Sequence, residues 1–493
     1  QLATAREAAR LVFDNSSVTS KEDPDETQSG VCMPLTWRTL LHLGAVLGAT
    51  IVRRDIVNAH QTTKMEEYRV THTPPGRPVR IDGKPALMLW ANYLNGMPKA
   101  GRGWSKRVHT HLLQFGMHQL IQDPYTYVIV TELGFLWLAC VVDDFLIVTQ
   151  SKGDALLAKF DEDLKRLGQS KQFGIDGFLN YEIGYSVISR QLTLRCTFRI
   201  EEIMREHDID YMDKKMPDTP WHPQIKELRL GEPALKSNKQ AKQTYRLMQQ
   251  INYITCHIRF DAQHASFYQA RFASGWTQLL WECVRYTLRY LYGTRQMGLT
   301  LGGVGGECMI ARARLLTSHA MVDAGIAEDG PSTGGGVIQM GEATLHASSG
   351  RHVPVTMASA SAEGYELSRQ VPIFIHHRYL LEELGCHQER PTAVGCDNSA
   401  VVSQVREADS MKRSLYLRRR IKFVSMAEDD GLVRVYKVAG KLNLADILTK
   451  VMGPSPFARL RHALLGLESS IQAVAVHSWH VPSKLVGIEL ENE

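Results

Sequence analysis

Two apolar runs flank a pair of adjacent carboxylates in the first third of the chain. The runs are Phe135–Val142 and Phe145–Val148, with Asp143 and Asp144 between them. Both are rich in β-branched and aromatic residues, which predicts two strands of a hairpin with the aspartates at its turn. Adjacent carboxylates at such a turn repel each other, and a divalent cation is the simplest group that neutralises them. A solvated turn without an ion explains the same pattern, so the pair alone does not decide.

Apolar residues recur at helical or strand spacing elsewhere along the chain. The spacing predicts helices over Trp37–Val52, Trp104–Phe115, Ala155–Leu167 and Phe457–Leu467, and a helical region rich in aromatics over Leu247–Tyr292. Strands are predicted over Ile51–Asp55, Phe178–Val187 and Val337–Met340. The polar, proline-containing stretch 206–244 is a candidate linker, and the glycines of 302–306 mark a boundary.

Composition bounds the class of protein without choosing a function. A chain of 493 residues with 44% hydrophobic and 22% charged residues predicts two to four ordinary globular domains. The net charge of +5 permits a nucleic-acid partner but does not require one. None of the eight cysteines forms a CxxC pair, which argues against a zinc ribbon or redox motif and favours a reduced intracellular chain.

No apolar run is long enough to span a bilayer, so we expect no membrane association. The chain begins with Gln1, without an initiator Met or a signal-peptide pattern, and is expected to be a fragment of a longer polypeptide.

Several motifs follow one another in a fixed order through the first part of the chain. They are Arg54–His60 (D-V-K-x-A-F in the family), Leu94–Trp104 (L-Y-G-L-K-Q-A-P-R-A-W), Asp123-Pro124 (S-D-P), Val141–Asp144 (Y-V-D-D), Phe178–Ile183 (F-L-G-I-E-I) and Arg289–Thr294 (R-Y-L-x-G-T). This ordered set resembles the reverse transcriptase–ribonuclease H region of a copia-type LTR retrotransposon polyprotein.

The resemblance implies a polymerase site that holds two divalent ions. It assigns Asp55 and Asp143 as the main metal ligands, with Asp144 in support. Nucleotidyl transfer by two ions requires carboxylates that converge from separate strands, and Mg²⁺ (or Mn²⁺) prefers such oxygen ligands. The strand-end position of Asp55 and the hairpin turn at Asp143 agree with that requirement.

The residues expected to bind the nucleotide depart from the family pattern. His60 falls where the family has an aromatic steric gate, although an ordinary half-buried histidine fits equally. Lys99 replaces a Gln, Gly101 a Pro and Val141 the Tyr of Y-V-D-D. Arg10 is the candidate for a triphosphate contact in a fingers segment that matches only in part.

A second ordered set of motifs resembles the ribonuclease H domain of the same elements. It comprises His319–Ala324, Ser332–Gly335, Ala358–Gly364, Gly395–Ala400 (Y-C-D-N-Q-S-A) and Leu444–Lys450 (L-A-D-I-L-T-K). The resemblance implies a catalytic quartet of acids, which would also bind two metal ions: Asp323, Glu363, Asp397 and Asp446.

Each member of that quartet has an ordinary alternative. Asp397 and Asp446 could be turn or helix-capping residues. Glu363 could lie on a helix surface, with Glu366 as a rival for its role. The basic run Arg418–Arg420 could follow a phosphate backbone or form a solvated helix face.

We therefore expect an α+β chain: a right-hand polymerase (fingers, palm and thumb) followed by an α/β ribonuclease H-like domain. The predicted boundaries are 1–205 for fingers and palm, 206–308 for thumb and connection, 309–452 for the nuclease and 453–493 for a tail. The implied partners are an RNA template, a DNA primer, RNA·DNA hybrid, dNTPs, and the protease and integrase parts of the polyprotein. The implied location is a cytoplasmic virus-like particle, with possible nuclear entry.

Two alternatives stay open. One is a decayed or co-opted element that binds hybrid without efficient polymerisation. The other is an enzyme that acts only as a ribonuclease H.

Overall fold

The computed structural model describes residues 30–72, 80–81, 84–85, 87–94, 97, 99–209, 215–231, 238–303, 315–326, 331–408, 415–467, 484–485 and 488–489. The chain forms two compact units. The first contains Thr50–Gly174 and the segment that ends at Met33; the second contains Pro34–Ala49 and the chain from Ile175 onward. Helix α1 (Pro34–Leu47) therefore belongs to the second unit although it precedes most of the first in sequence.

Antiparallel strands dominate the first unit. They are β1 (Thr50–Ile56), β2 (Lys64–His72), β3 (Arg80–Ile81), β4 (Lys84–Pro85), β5 (Leu87–Asn92), β6 (His118–Gln119), β7 (Thr126–Thr131), β8 (Gly134–Val141), β9 (Asp144–Ser151) and β10 (Ser170–Gly174). Six of them form a sheet of order β10-β1-β9-β8-β7-β6, whereas β2 pairs with β5 and β3 with β4. The aspartate pair lies at the connection between β8 and β9, in the middle of the large sheet.

Helices α2 (Ala100–Phe115) and α3 (Ala155–Leu164) supply the core of the first unit. Trp104 and Leu112 of α2 and Phe160 of α3 are buried in one cluster with Leu138 of β8 and Phe145 of β9. Burial of this apolar surface is the main force that holds the helices on the sheet. The sheet is therefore a fixed platform for the residues at its strand ends.

The second unit contains two further sheets and most of the helices. Its smaller sheet has the order β11-β12-β13-β14. The strands are β11 (Gly177–Phe178), β12 (Tyr181–Ser186), β13 (Gln191–Arg195) and β14 (Leu299–Gly302). Four helices lie between β13 and β14 in the chain: α4 (Thr197–Glu206), α5 (Lys239–His257), α6 (Gln263–Ala270) and α7 (Gln278–Gly293).

The larger sheet of the second unit is mixed. Its strands are β15 (Ser318–Gly325), β16 (Thr333–Met340), β17 (Ala343–Arg351), β18 (Thr392–Cys396) and β19 (Val433–Lys437), in the order β17-β16-β15-β18-β19. The first three are antiparallel, whereas β18 is parallel to both β15 and β19. Parallel neighbours require crossover connections, which here contain α8 (Ser359–Glu383), α9 (Ser399–Arg406) and α10 (Leu415–Asp429). Helix α11 (Pro454–Leu464) follows, and a last pair of short strands, β20 (Lys484–Leu485) and β21 (Ile488–Glu489), closes the described chain.

Close packing of α8 on the larger sheet depends on small residues in β16. A side chain at Gly334 would place its Cβ 2.0 Å from a carboxylate oxygen of Glu366 on α8. A side chain at Gly336 would meet Gln370, one turn further along that helix. The glycines thus let α8 lie against the sheet next to the strand that carries Asp323.

Most predicted elements are present with shifted ends. The predicted hairpin is confirmed, with Asp143 and Asp144 at the end of β8 and the start of β9. The helix predicted over Trp37–Val52 ends at Leu47, because Gly48 adopts a φ of 65° and terminates it. The region Leu247–Tyr292 is three helices rather than one, and strands are present within the predicted 178–187 and 337–340 segments.

The boundary between the compact units does not follow the predicted domain limits. It falls at Gly174–Ile175 rather than at residue 205, and α1 joins the later part of the chain. Burial explains the second difference, because nearly every residue of α1 is buried and Arg38 donates hydrogen bonds to the carbonyls of Leu345 and His257. The predicted thumb, nuclease and tail limits inside the second unit stay predictions.

Within the part of the chain that the structure describes, no helix combines the length and apolar character needed to cross a membrane.

Candidate active sites

The first cluster of carboxylates stands at the ends of β1 and β9. These strands are antiparallel, and Asp55 lies directly opposite Asp144. Asp143 precedes Asp144 in the turn. On its other side, Asp55 lies opposite Lys171 of β10. Directly opposed residues have Cβ atoms about 4.5–5.5 Å apart, so the sheet register alone brings the two strand-end carboxylates together.

Three backbone contacts fix the turn that carries Asp143. The indole nitrogen of Trp104 donates to the carbonyl of Val142 at 2.7 Å. The amide of Ile56 donates to the carbonyl of Asp143 at 3.0 Å, and the amide of Val142 to that of Gly30 at 3.2 Å. Val142 itself has a φ of 58°, a region that a β-branched residue rarely adopts. Such strain persists only where the surroundings enforce it, and it clusters at functional sites.

Arg53 forms an ion pair with one carboxylate of this cluster. Its Nε lies 2.5 Å from Oδ1 of Asp144, and its guanidinium stacks 5.0 Å from the ring centre of Phe173. Burial raises the pKa of Asp144 above its ordinary value, and Asp55 and Asp143 raise it further, whereas Arg53 opposes the rise. Arg53 therefore offsets part of the repulsion among the three carboxylates.

Strand alternation explains why Arg53 rather than Arg54 reaches the cluster. Residues two apart on a strand share a face, so Arg53 lies on the side of Asp55. Arg54 points to the opposite face, is buried, and forms a two-pronged ion pair with Asp161 of α3 at 2.7 and 2.8 Å. The first arginine serves the cluster and the second fastens α3 to the sheet.

The predicted nucleotide-binding residues are placed unequally. His60 lies in a short 3₁₀ helix (Ala59–Thr62). Burial lowers its pKa, and the negative charge of Asp143 opposes the change, which places the ring within electrostatic range of the cluster. Lys99 immediately precedes α2. Arg10 lies outside the described residues.

The second cluster lies in the larger sheet of the second unit. Asp323 is on β15, Glu363 on the first turns of α8, and Asp397 directly follows β18. One carboxylate oxygen from each lies within 4.8 Å of the others. In the described part of the chain, this is the one trio of His, Cys, Asp or Glu residues that meets this distance. The palm carboxylates Asp55, Asp143 and Asp144 do not meet it.

Glu363 is held by neighbours from three directions. Its Oε1 accepts hydrogen bonds from Ser359 at 2.8 Å and from Asn398 at 3.2 Å, and the Cys396 thiol lies 3.6 Å from Oε2. Burial raises its pKa, which the two hydrogen bonds oppose and the charges of Asp397 and Asp323 reinforce. A carboxylate in this setting gains most from a nearby cation.

The structure separates Glu363 from its rival. Glu366 lies almost one turn further along α8 with its side chain fully buried, and it accepts hydrogen bonds from His352, Arg369 and Gln370. Burial alone would raise its pKa, but the hydrogen bonds from His352 and Arg369 lower it below its ordinary value. Glu366 is thus committed to packing α8, and Glu363 is the acid that faces the cluster.

Neither aspartate outside the helices acts as a cap. The side chain of Asn398 caps α9 by accepting from the amides of Ala400 and Val401, which leaves Asp397 available. Asn443 caps the short 3₁₀ helix Leu444–Leu448, which contains Asp446.

Asp446 stands at the edge of the second cluster and is shared with a lysine. The Nζ of Lys450 lies 2.7 Å from Oδ1 of Asp446 and 3.2 Å from Oδ1 of Asp323. Burial and the charges of Asp323 and Asp397 raise the pKa of Asp446 to about 6, with Lys450 opposing. Asp446 therefore feels the other acids but is not part of the trio.

The donor set of the second cluster fits a hard divalent cation. Three carboxylates supply oxygen ligands, and burial and mutual repulsion raise the pKa of both Asp323 and Glu363. Mg²⁺ and Mn²⁺ favour such ligands. In the first cluster the ligand type is the same, but the oxygens are further apart.

Arg53 and Lys450 are the site residues that sequence reasoning missed. Arg53 stands two positions before Asp55, on the same strand face. Lys450 stands four positions after Asp446, the spacing at which an acid and a base meet on a helical turn. Both spacings are visible in the sequence.

Comparison with known proteins finds relatives of one kind along nearly the whole chain. It is 26% identical over 472 residues to the retrovirus-related Pol polyprotein from transposon TNT 1-94 of Nicotiana tabacum, which covers 94% of this chain and 34% of that protein. It is 24% identical over 463 residues to the corresponding polyprotein from transposon RE2 of Arabidopsis thaliana, covering 92% of this chain and 30% of that one. The chain spans about a third of the length of these curated relatives. No protein-family model matches it.

Solved structures match the chain at low similarity. The crystal structure of LC11-RNase H1 in complex with RNA/DNA hybrid is 18% identical, covers 27% of this chain and 94% of that one, and gives a TM-score of 0.22. The crystal structure of Prototype Foamy Virus Protease-Reverse Transcriptase is 10% identical, covers 84% of this chain and 47% of that one, and gives a TM-score of 0.21.

Proposed function

We propose that this chain, whose homologues are the retrovirus-related Pol polyproteins of plant copia-type transposons, is a reverse transcriptase followed by a ribonuclease H-like domain. Its work would be to copy element RNA into DNA and to degrade the RNA strand of the resulting hybrid. The first unit would contain the polymerase palm, and the larger sheet of the second unit would carry the nuclease.

The trio of Asp323, Glu363 and Asp397 is the observation that carries the proposal. These acids are far apart in sequence, yet β15, α8 and the end of β18 bring their oxygens within 4.8 Å. Repulsion at this distance makes the trio a site for divalent ions, Mg²⁺ or Mn²⁺. Two ions bound there would activate a water and stabilise the leaving 3′-oxygen of RNA. The protein's part is positional, because Ser359 and Asn398 fix Glu363 toward Asp323 and Asp397.

In the polymerase half, Asp55 and Asp143 would hold the ions, with Asp144 in support. The ion pair of Asp144 with Arg53 agrees with a supporting role, because one of its oxygens is already engaged. Two ions at this site would lower the pKa of the primer hydroxyl and brace the triphosphate. His60, near Asp143, would face the sugar of the incoming dNTP, and Lys99 and Arg10 would contact the nucleotide.

The partners follow from this chemistry. An RNA template, a DNA primer and RNA·DNA hybrid would bind, as would the integrase and protease parts of the polyprotein. The expected location is a cytoplasmic virus-like particle, with possible nuclear entry.

Two assays on the full chain test the proposal. With Mg²⁺ or Mn²⁺, a 5′-labelled RNA·DNA hybrid should be cleaved, and a primer should be extended on a homopolymer RNA template. Asp397→Asn should abolish cleavage and spare extension, whereas Asp143→Asn should do the reverse. Cleavage that survives Asp397→Asn would refute the nuclease assignment, and extension that survives Asp143→Asn would refute the polymerase assignment.

A nuclease without efficient polymerase activity is the second candidate. It is favoured by the difference in geometry, since the nuclease acids converge within 4.8 Å and the palm acids do not. Hybrid cleavage without dNTP incorporation, in both Mg²⁺ and Mn²⁺, would select it.

A further inference from the structure

The ammonium group of Lys450 sits between two acids of the second cluster. It lies 3.2 Å from Oδ1 of Asp323 and 2.7 Å from Oδ1 of Asp446. Asp323 is almost fully buried, with 1% of its side chain exposed, whereas Lys450 is 41% exposed. The lysine therefore reaches from solvent to an acid at the base of the cluster.

The lysine engages the carboxylate oxygens that face the gap between Asp323 and Asp446. The other oxygen of Asp323, Oδ2, accepts a hydrogen bond from the hydroxyl of Thr449. Each carboxylate oxygen has two lone-pair directions, so a hydroxyl contact still leaves room for a cation on the side of Glu363 and Asp397. The ammonium instead takes the space that a second ion shared by Asp323 and Asp446 would need.

Charge balance supports the same division of the site. Four carboxylates, Asp323, Glu363, Asp397 and Asp446, interact electrostatically with one another. Burial alone would lower the pKa of Lys450, but attraction to Asp323 and Asp446 raises it above its ordinary value, so the group stays charged. One positive charge is thus built into the half of the cluster that contains Asp446, and the trio has none.

We propose that Lys450 is a resident counter-ion, which occupies the cation position between Asp323 and Asp446 in the metal-free protein and must be displaced before a second divalent ion binds there. This inference rests on the proposed function, in that the cluster is taken to be a metal site. A first ion would enter the trio without moving the lysine. The second would bind more weakly because it has to break both contacts of the ammonium.

The side chain has a route for this movement. Its partial exposure lets the flexible stem swing outward, and in water the ammonium recovers its hydration. Lys450 is accordingly a positioning residue that sets the difference in affinity between the two ions. It would also keep Asp323 and Asp446 from repelling each other before any ion arrives.

Mn²⁺ binding to the full-length chain tests the proposal without any activity measurement. All variants would carry Asp143→Asn, so that ions bound in the first unit do not obscure the result. Isothermal titration should show one tighter and one weaker Mn²⁺ in the second unit. Lys450→Met should tighten the weaker ion about tenfold, the size expected for loss of a partly exposed ion pair. The same substitution should lower the melting temperature in EDTA.

Three further variants identify the cause. Lys450→Arg keeps the charge and should restore weak binding of the second ion. Lys441→Met removes one exposed lysine nearby and should change neither ion. Asp446→Asn added to Lys450→Met should abolish the gain. If the methionine variant does not fold, Lys450→Gln makes the same comparison with a polar neutral side chain.

The outcomes separate this inference from the proposed function. If Lys450→Met weakens the second ion or leaves it unchanged while Asp397→Asn removes the first, the counter-ion role is wrong and the metal site stands. If Asp397→Asn removes no Mn²⁺ binding, the metal site itself is wrong. A purely structural lysine would lower the melting temperature without tightening Mn²⁺ binding.

Discussion

The two carboxylate clusters of this chain are built in different ways. In the first unit the acids stand at the ends of neighbouring antiparallel strands, where register alone sets Asp55 opposite Asp144. In the second unit they come from a strand, a helix, a strand end and a short 3₁₀ helix. The first arrangement is local to one sheet, and the second requires a whole domain to assemble.

The clusters also differ in how their negative charge is offset. Arg53 contacts a single acid, Asp144, and rests on the ring of Phe173. Lys450 lies between two acids, Asp323 and Asp446. A cation on one carboxylate fixes that side chain, whereas a cation between two takes a place that an ion could use. The same kind of ion pair therefore predicts a positional role in the first unit and a competitive one in the second.

The largest expected effect comes from Glu363→Gln in the second cluster. Hybrid cleavage should fall at least about 100-fold, because even residues that only orient metal ligands contribute 10- to 100-fold. Primer extension should stay near the wild-type rate, since Glu363 lies in the other unit. Cleavage of a labelled hybrid and extension on the same preparation measure both. Equal loss of the two activities would mean that the clusters are not independent.

The neighbouring Glu366→Gln should act on stability instead. Its fully buried carboxylate pairs with His352 and Arg369, and removing one partner of a buried pair costs about 3 kcal/mol or more. Chemical unfolding monitored by circular dichroism should show that loss, while the folded fraction should still cleave hybrid. A variant with full stability and no cleavage would return Glu366 to the catalytic set in place of Glu363.

Much of the first cluster could be predicted from the sequence because it depends on local pattern. The apolar runs on either side of Asp143 and Asp144 specify a hairpin, and a strand ending at Asp55 is visible in its apolar spacing. Strand register then does the rest. The end of helix α1 at Leu47 was misjudged because one glycine with positive φ outweighs the apolar spacing that continues beyond it.

The second cluster could be predicted only through family resemblance. No local pattern indicates that residues 323, 363 and 397 meet, since long-range packing of α8 on β15 brings them together. The choice between Glu363 and Glu366 was open for the same reason, because both lie on one helix and only the position of the sheet distinguishes their faces. The membership of α1 in the second unit likewise depends on tertiary burial, which sequence spacing does not encode.

A smaller effect is expected from Arg53→Met in the first cluster. The metal-free protein should lose about 1 kcal/mol of unfolding free energy, since the ion pair is partly exposed and water screens it. Primer extension should slow by a few-fold, because Asp144 would no longer be held in place. Lys171→Met, which removes a cation opposite Asp55, is the matched control and should have a weaker effect on Asp144. A gain in Mn²⁺ affinity like that expected for Lys450→Met would contradict the distinction between the two cations.

The smallest effect is a pH dependence that only the second cluster should show. The pKa of Asp446 is raised from 3.8 to about 6 by burial and by Asp323 and Asp397. A carboxyl that holds its proton more tightly when folded favours folding most below about pH 4, and this contribution is lost as the pH rises through about 6. In EDTA, the wild-type melting temperature should therefore fall relative to that of Asp446→Asn between about pH 4.5 and 6.5. Mn²⁺ should reverse the trend, because the ion binds the deprotonated carboxylate and stabilises it. Parallel curves for the two proteins in EDTA would show that Lys450 already neutralises Asp446 fully, and the second ion would then face a larger barrier than the one inferred above.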